Sequence, residues 1–201
     1  MSAAVERLDL TVKEAAELAG VSTRRIEKSV EEGVFPKKRV TMVLRRNKAA
    51  HVPIHVVAYA SAIKRMKGVK LDVASKKRLF REIMSTKEEL GVISLIEGMS
   101  LSLDKLADTE WKSAWRYVRA REEHLTSDEA VFGGEPIIKN TRITCRSVLG
   151  RIKDGDTIDD MSEENPDVAR EAFEAALIYA RTHPPRGRPE VGKPWRKPAT
   201  S

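Results

Sequence analysis

The sequence predicts a mainly helical protein with short β-hairpins. Apolar residues recur at helical spacing in several segments that start near Ser, Thr or Asn and end near Gly. Short apolar and β-branched runs flank turn residues, as hairpins require. Cys145 is the single cysteine, so no disulfide framework is available, and 201 residues are enough to bury a core without one.

Charge divides the chain into two parts. Residues 1–81 carry 19 Lys and Arg against 8 Asp and Glu, whereas residues 82–201 carry 18 against 22. A basic part joined to a mildly acidic part is typical of a nucleic-acid-binding module attached to a module with another partner. A solvated basic surface without such a partner is the alternative interpretation.

Two short helices joined by a tight turn are predicted near the N-terminus. Thr11 begins the first helix with the spacing of a capping box, and Gly20 ends it. The second helix is predicted from Ser22 to Gly33, with apolar residues facing inward at a spacing of four. This pair predicts a helix-turn-helix.

The outer side of the second helix is basic, as a recognition helix would be at its base and phosphate contacts. Positive charge in the first turn opposes the helix dipole, and this local cost indicates an anionic partner. An ordinary helical hairpin with a basic surface is the alternative. The predicted DNA-binding residues of this helix are Ser22, Thr23, Arg24, Arg25 and Lys28.

The stretch 11–26, TVKEAAELAGVSTRRI, resembles the winged helix-turn-helix of MerR-type regulators and excisionases. The following segment, 37–48, is β-branched and apolar in its middle, with six basic residues and no acid, and it is predicted to form a wing with a return strand near 51–54. A wing of this composition contacts phosphates. Residues 1–68 are the predicted DNA-binding domain, and its wing residues are Lys37, Lys38, Arg39, Arg45, Arg46 and Lys48.

Residues 69–128 are predicted to be an intermediate α+β segment that spaces the flanking modules. Helices are expected over 55–66 and 72–84, and a hairpin over 92–103. Trp111 and Trp115 then lie on one helical stripe, for which core packing is favoured over a partner surface.

A second resemblance rests on the sequence FGGEPIIKNTRI at 132–143, followed by SVL, a DG pair, the run TIDDM and an NP pair before a final helix. Over residues 130–183 this order is similar to the small domain of VapB-type antitoxins. The chain departs from that pattern at Asn140, where the family has Gly, and at Thr144 and Cys145, where it has Pro-Val. Asn tolerates a positive φ better than most residues, so the turn is expected to survive.

The same residues predict a trihelical, helix-turn-helix-like domain over 129–183. After a short strand at 141–143, we expect a helix over 147–153, a second helix capped by Thr157, and a third beginning at Asn165. Residues 147–174 hold nine acids against three bases, a poor surface for DNA. Protein contact is the better interpretation of this module.

No enzymatic chemistry is expected. His51 and His55 have the spacing of a zinc face, but Pro53 between them disfavours one continuous helix. Asp154, Asp156, Asp159 and Asp160 lack the pattern of a calcium loop, and Cys145 is expected to be a small buried residue. We therefore expect no catalytic residue, no metal site and no cofactor.

Residues 184–201 are predicted to be a disordered basic tail, because five prolines and two glycines oppose a packed element. A solvated terminus is one interpretation. The resemblance to VapB-type antitoxins implies another, in which the tail binds a PIN-like ribonuclease toxin, whose active site is a cluster of metal-binding carboxylates. The predicted toxin-binding residues are Arg186, Arg188, Trp195 and Arg196.

These observations predict a cytoplasmic antitoxin without membrane association, which neutralises a PIN-like toxin and represses its own operator. A homodimer is expected, because two-fold proteins read paired half-sites. The apolar segments 92–103 and 137–149 are the candidate dimer surfaces. A stand-alone DNA-binding regulator without a toxin partner is the alternative, and an RNA-processing enzyme is a remote third hypothesis.

Overall fold

The computed structural model describes residues 9–36, 51–86, 88–96, 98–127 and 134–184. It confirms the predicted class, because helices dominate these residues and the sheets are antiparallel pairs of short strands. The elements in chain order are β1 (Asp9–Thr11), α1 (Val12–Ala19), α2 (Thr23–Glu31), β2 (His51–Pro53), α3 (His55–Arg65), α4 (Val73–Ser85), β3 (Val92–Ile96), β4 (Met99–Ser102), α5 (Leu103–His124), β5 (Leu125–Thr126), β6 (Ile137–Ile138), α6 (Cys145–Asp154), α7 (Ile158–Glu164) and α8 (Arg170–Thr182).

The predicted pair of N-terminal helices is present, and a small sheet anchors it. β1 and β2 are antiparallel, with Leu10 opposite Val52, and both side chains are fully buried. The strand expected near 51–54 is therefore confirmed, and its described partner is β1. The segment 37–48, predicted to form the wing, lies outside the described residues.

The long helix α5 lies at the centre of the larger hydrophobic core. It packs along α3, as its apolar stripe predicts, and Trp111 is completely buried between them. The indole of Trp111 donates a hydrogen bond of 2.7 Å to the carbonyl of Glu88, so its polar atom is satisfied. Trp115 is half-buried and meets Trp111 edge to face. The core role predicted for these tryptophans is confirmed for Trp111.

The hairpin predicted over 92–103 is present as β3 and β4. Its register pairs Ile93 with Leu101 and contains a bulge between Ser94 and Ile96. Leu95 is fully buried in the larger core, whereas Val92 is 67% exposed at the start of β3. β4 leads directly into α5.

The three helices α6, α7 and α8 enclose a second core. Met161 and Phe173 are buried in it together with Cys145, as expected for that thiol. Asn140 has a φ of 61°, so Asn occupies the left-handed turn for which the resembled family has Gly. Thr157 and Asp160 form the expected capping box of α7.

Two local predictions in this unit are wrong. The short strand expected at 141–143 lies instead at Ile137–Ile138, where it pairs with β5. The last helix begins at Arg170 rather than at Pro166. Asn165 does not cap it, because its side-chain amide donates back to the carbonyl of Met161 in the preceding helix and residues 165–168 form a turn.

The C-terminal unit packs on the larger core through α8. Ala172 and Phe173 face the second core, whereas Ala175 is buried against the first. Lys139 joins the two by donating to the carbonyls of Glu122 and Glu123, both at 2.7 Å, at the negative end of the α5 dipole. The predicted domain boundaries after residues 68, 128 and 183 stay predictions.

Candidate nucleic-acid interface

The turn between α1 and α2 is held by backbone geometry that the sequence specifies. Gly20 is left-handed, with a φ of 60°, and its N–H and that of Val21 both return to the last turn of α1. A Cβ at Gly20 would lie 2.8 Å from the ammonium nitrogen of Lys64, which covers this turn. Position 20 therefore favours Gly for its φ, whereas the flexible end of the Lys64 side chain can move away from a Cβ.

Helix α2 presents the predicted contact residues at its surface. Ile26 is buried and anchors the helix, whereas Arg24, Arg25 and Lys28 are exposed. Ser22 occupies the N-cap position, as expected, but its side chain makes no capping hydrogen bond. Thr23 is half-buried at the start of the helix. The N–H of Arg25 donates to the carbonyl of Ser22 at 3.0 Å, so within this first turn the N–H groups that precede Arg25 are the ones that an anionic group could approach.

Two carboxylates on α2 alter the expected electrostatics. The guanidinium of Arg24 lies 2.7 Å from Glu31 and 3.9 Å from Glu27, and the hydrogen bond to Glu31 raises the pKa of Arg24. This ridge of the helix therefore carries one cation against two carboxylates. Both acids are visible in the sequence, but counting cations alone overlooks them.

The neighbouring ridge of α2 keeps more of its positive charge. Arg25, Lys28 and Glu32 follow one another at spacings of three and four residues and so share one side. The single acid among them, Glu32, is bound by Lys76 of α4 at 2.7 Å, and this hydrogen bond lowers the pKa of Glu32. This side, rather than the side of Arg24, is the more basic approach to the helix.

Two groups of predicted residues lie outside the described residues. The first is the wing, with Lys37, Lys38, Arg39, Arg45, Arg46 and Lys48, and the second is the toxin-binding set, with Arg186, Arg188, Trp195 and Arg196. The structure therefore places the α2 members of the predicted site on one helix, and the DNA-binding role of all the predicted residues stays a prediction.

A buried carboxylate fixes the helix-turn-helix to the rest of the protein. Glu14 is 1% exposed and completes the capping box with Thr11, whose N–H lies 2.7 Å from Oε2. Its Oε1 accepts from the guanidinium of Arg121 at 2.9 Å and from the hydroxyl of Tyr117, both on α5. Arg121 also donates to the carbonyl of Asp9 at 3.1 Å. The Glu14 side chain thus caps α1 at the end of β1 and also binds α5.

The protonation state of Glu14 follows from these partners. Burial by itself raises the pKa of the carboxyl, but the Arg121 charge, the Tyr117 hydroxyl and the Thr11 N–H more than offset burial and lower it. Burial together with the Glu14 charge raises the pKa of Tyr117, which stays a neutral donor. The group is a structural ion pair whose carboxylate is ionised at neutral pH.

The C-terminal unit presents an acidic surface, in agreement with its composition. Arg151 pairs with Asp156 and with Glu164, each at 2.5 Å, and Arg170 pairs with Asp159. Further exposed acids have no ion pair within the part of the chain that the structure describes; they are Asp154, Glu163, Asp167 and Glu171. This surface of the C-terminal unit is therefore rich in negative charge.

The residues considered for catalysis or metal binding have the following surroundings. His55 packs against Trp111 with ring centroids 5.3 Å apart. Asp156 pairs with Arg151, and Asp159 pairs with Arg170. Asp160 accepts a hydrogen bond from the N–H of Thr157, the N-cap residue of α7. Burial raises the pKa of the Cys145 thiol to about 12, which removes its nucleophilic form at neutral pH.

The fold and site together define a mainly helical protein with a helix-turn-helix near its N-terminus and a trihelical unit at the other end. Residues 125–180, which include that unit, match a family described as "Protein of unknown function (DUF433)". The chain is also similar to "Uncharacterized protein y4eO" of Sinorhizobium fredii, with 25% identity over 203 residues that cover 90% of this chain and 85% of that protein. No solved structure matches the chain.

The helices of the described residues bear on membrane insertion. Within the described ranges, none of them combines the length and the apolar character that a bilayer span requires.

Proposed function

We propose that this protein is a VapB-type antitoxin that binds operator DNA through a MerR-like winged helix-turn-helix, represses its own transcription and neutralises a PIN-like ribonuclease toxin. The observation that carries the DNA-binding half is α2, where Arg25 and Lys28 are exposed on a helix that Ile26 and the Gly20 turn fix in place. A basic helix held at the surface of a helix-turn-helix is suited to the major groove.

The toxin-binding half rests on a contrast between the two ends of the chain. The acidic surface of the C-terminal unit is unsuited to DNA, so this unit is better explained by a protein partner. The match to DUF433 covers the same unit and is compatible with this proposal without testing it. A stand-alone regulator, whose C-terminal unit senses another ligand, is the second candidate.

Deletion of 184–201 tests the toxin-binding half. Arg guanidinium groups bind carboxylates bidentately, so Arg186, Arg188 and Arg196 are expected to occupy the carboxylate cluster of the toxin, with Trp195 as an anchor. The truncated chain should release toxin ribonuclease activity while operator binding stays within about twofold, because the basic face of α2 is intact.

The assay uses the toxin that co-purifies with the full chain from its native cell, mixed at equimolar ratio with the full or the truncated chain. Arg186→Lys/Arg188→Lys/Arg196→Lys is the matched control, since it keeps the positive charge of the tail and loses the bidentate geometry of the guanidinium groups. Full neutralisation by the truncated chain contradicts the tail hypothesis. Absence of any ribonuclease partner in the co-purification favours the stand-alone regulator.

In the proposed homodimer, the hairpin at 92–103 exposes more apolar surface than the other candidate segment, 137–149. The side chains of Ile138, Cys145 and Val148 are buried in the chain's own second core, which leaves the hairpin with its exposed Val92. Val92→Asp should therefore halve the molar mass measured by light scattering at micromolar concentration, whereas Val69→Asp, at another exposed valine, should not. A monomeric wild-type chain, alone and with DNA, contradicts the dimer itself.

A further inference from the structure

We infer that α4 supplies a second phosphate-binding ridge, formed by Lys77 and Arg81, which extends the DNA surface of α2. This inference rests on the proposed DNA binding and adds a site outside the helix-turn-helix and the wing. The ligand is the sugar–phosphate backbone of duplex DNA.

The position of α4 relative to α2 is fixed by contacts at the end of α2. Lys76 of α4 binds Glu32 at 2.7 Å, and both side chains are 23% exposed. The ammonium nitrogen of Lys77 is 4.0 Å from the position that a Cβ on Gly33 would take. Phe35 and Phe80 pack with ring centroids 4.6 Å apart beneath this contact. α4 is therefore held beside the C-terminal end of α2.

The adjoining side of α2 is the basic one. Glu32 shares its ridge with Arg25 and Lys28, and Lys28 approaches it at 3.9 Å while Lys76 binds it directly. The carboxylate that would separate the cations of α2 from those of α4 is thus neutralised by two lysines. Positive potential continues from Arg25 and Lys28 across Glu32 to Lys77.

The exposed cations of α4 lack local compensation. Lys77 and Arg81 are four residues apart, so they share a ridge, and both are exposed. Like charges at this spacing destabilise a helix. Within the ranges that the structure describes, neither side chain forms an ion pair, and Glu82 is the one acid in α4. An anionic partner is the condition under which this charge arrangement becomes favourable.

Phosphate rather than a base edge is the contact that fits this position. The ridge is offset from α2, which is the helix placed to enter the major groove, and flanking elements of a helix-turn-helix meet the backbone. Contacts to the backbone add affinity and salt dependence without adding sequence preference. The two functions are therefore separable by experiment.

The test is a salt titration of binding to a duplex from the chain's own upstream region and to a scrambled duplex of equal length. Lys77→Gln/Arg81→Gln should lower the slope of log affinity against log salt by about 1.8, at about 0.9 per phosphate contact, and weaken both duplexes equally. Lys77→Arg/Arg81→Lys keeps both positive charges and should therefore have the wild-type slope. The control, Lys105→Gln/Lys112→Gln on α5, also removes two exposed cations, of which Lys112 pairs with Asp108 at 2.8 Å, and should leave the slope unchanged.

The outcomes separate this inference from the proposed function. Wild-type slope in the Lys77→Gln/Arg81→Gln variant, while Arg25→Ala loses sequence preference, overturns the α4 ridge alone. An equal loss of slope in the α5 control also overturns it, since net charge then explains the effect. Absence of binding by the wild-type chain to either duplex overturns both.

Discussion

Glu14→Gln is expected to destabilise the protein by about 3–5 kcal/mol, the cost typical of removing one partner from a buried ion pair. Gln preserves the shape of the side chain but removes the negative charge that the Arg121 guanidinium, 19% exposed, faces at 2.9 Å. The capping box of α1 also loses its charged acceptor. Chemical unfolding followed by circular dichroism measures this free energy.

Glu17→Gln is the matched control for this experiment. Glu17 lies on the same helix and pairs with Arg181 at 3.4 Å, but both side chains are more than 40% exposed. Such a pair contributes about 0–1 kcal/mol, so the control should resemble the wild-type chain. Glu14→Gln/Arg121→Met removes both charges and should recover part of the loss. Equal stability of the two single variants contradicts the structural role assigned to Glu14.

The same carboxylate predicts a pH dependence with a defined sign. The pKa of Glu14 is lower in the folded protein than its ordinary value of 4.5, so the folded state favours the ionised form. Its contribution to the free energy of unfolding is therefore complete above pH 4.5 and decreases as the pH falls through the lower, folded pKa. The stability difference between wild type and Glu14→Gln should shrink correspondingly in acid. A difference that grows on acidification contradicts the assignment.

Local features of this fold could be predicted because their causes are local. Thr11 and Glu14 lie within one helical turn, and Gly20 and Gly155 end helices through their own φ. Asn140 adopts the positive φ that its residue type tolerates. Each of these depends on a few neighbouring residues, so the sequence pattern alone is sufficient.

Features that depend on distant residues were missed. The bonds from Tyr117 and Arg121 to Glu14 span 103 and 107 residues, and no spacing rule connects them. The Asn165-Pro166 pair has the local pattern of a helix start, but Asn165 bonds to the preceding helix and α8 begins at Arg170. Packing and side-chain competition outweigh local propensity at such positions.

The exposure of Arg24, Arg25 and Lys28 was predictable from helical spacing, but their balance of charge was not. The sequence places Arg24 and Arg25 side by side and suggests equivalent roles. Their surroundings differ, because Arg24 binds Glu31 and approaches Glu27, whereas Arg25 lies on the ridge whose acid is already occupied by Lys76. The structure therefore ranks the two arginines.

This ranking leads to the second large expected effect, on operator affinity. Arg25→Ala/Lys28→Ala should weaken binding to the operator by about a hundredfold, or about 2.8 kcal/mol, because a base contact contributes about 1–3 kcal/mol and a phosphate contact adds to it. Arg24→Ala should have a smaller effect, since Arg24 must leave Glu31 before it binds DNA. Fluorescence anisotropy with operator and scrambled duplexes measures both affinity and preference.

Glu31→Gln is the variant that distinguishes this explanation from a general loss of charge. It frees Arg24 and removes a carboxylate that repels phosphate, so affinity for both duplexes should rise while the preference between them stays constant. In the Glu31→Gln background, Arg24→Ala should then cost more than it does in the wild-type chain, because the arginine no longer has to break an ion pair. If Arg24→Ala and Arg25→Ala weaken binding equally in both backgrounds, the Glu31 pair does not govern the role of Arg24 and the ranking of the two arginines is wrong.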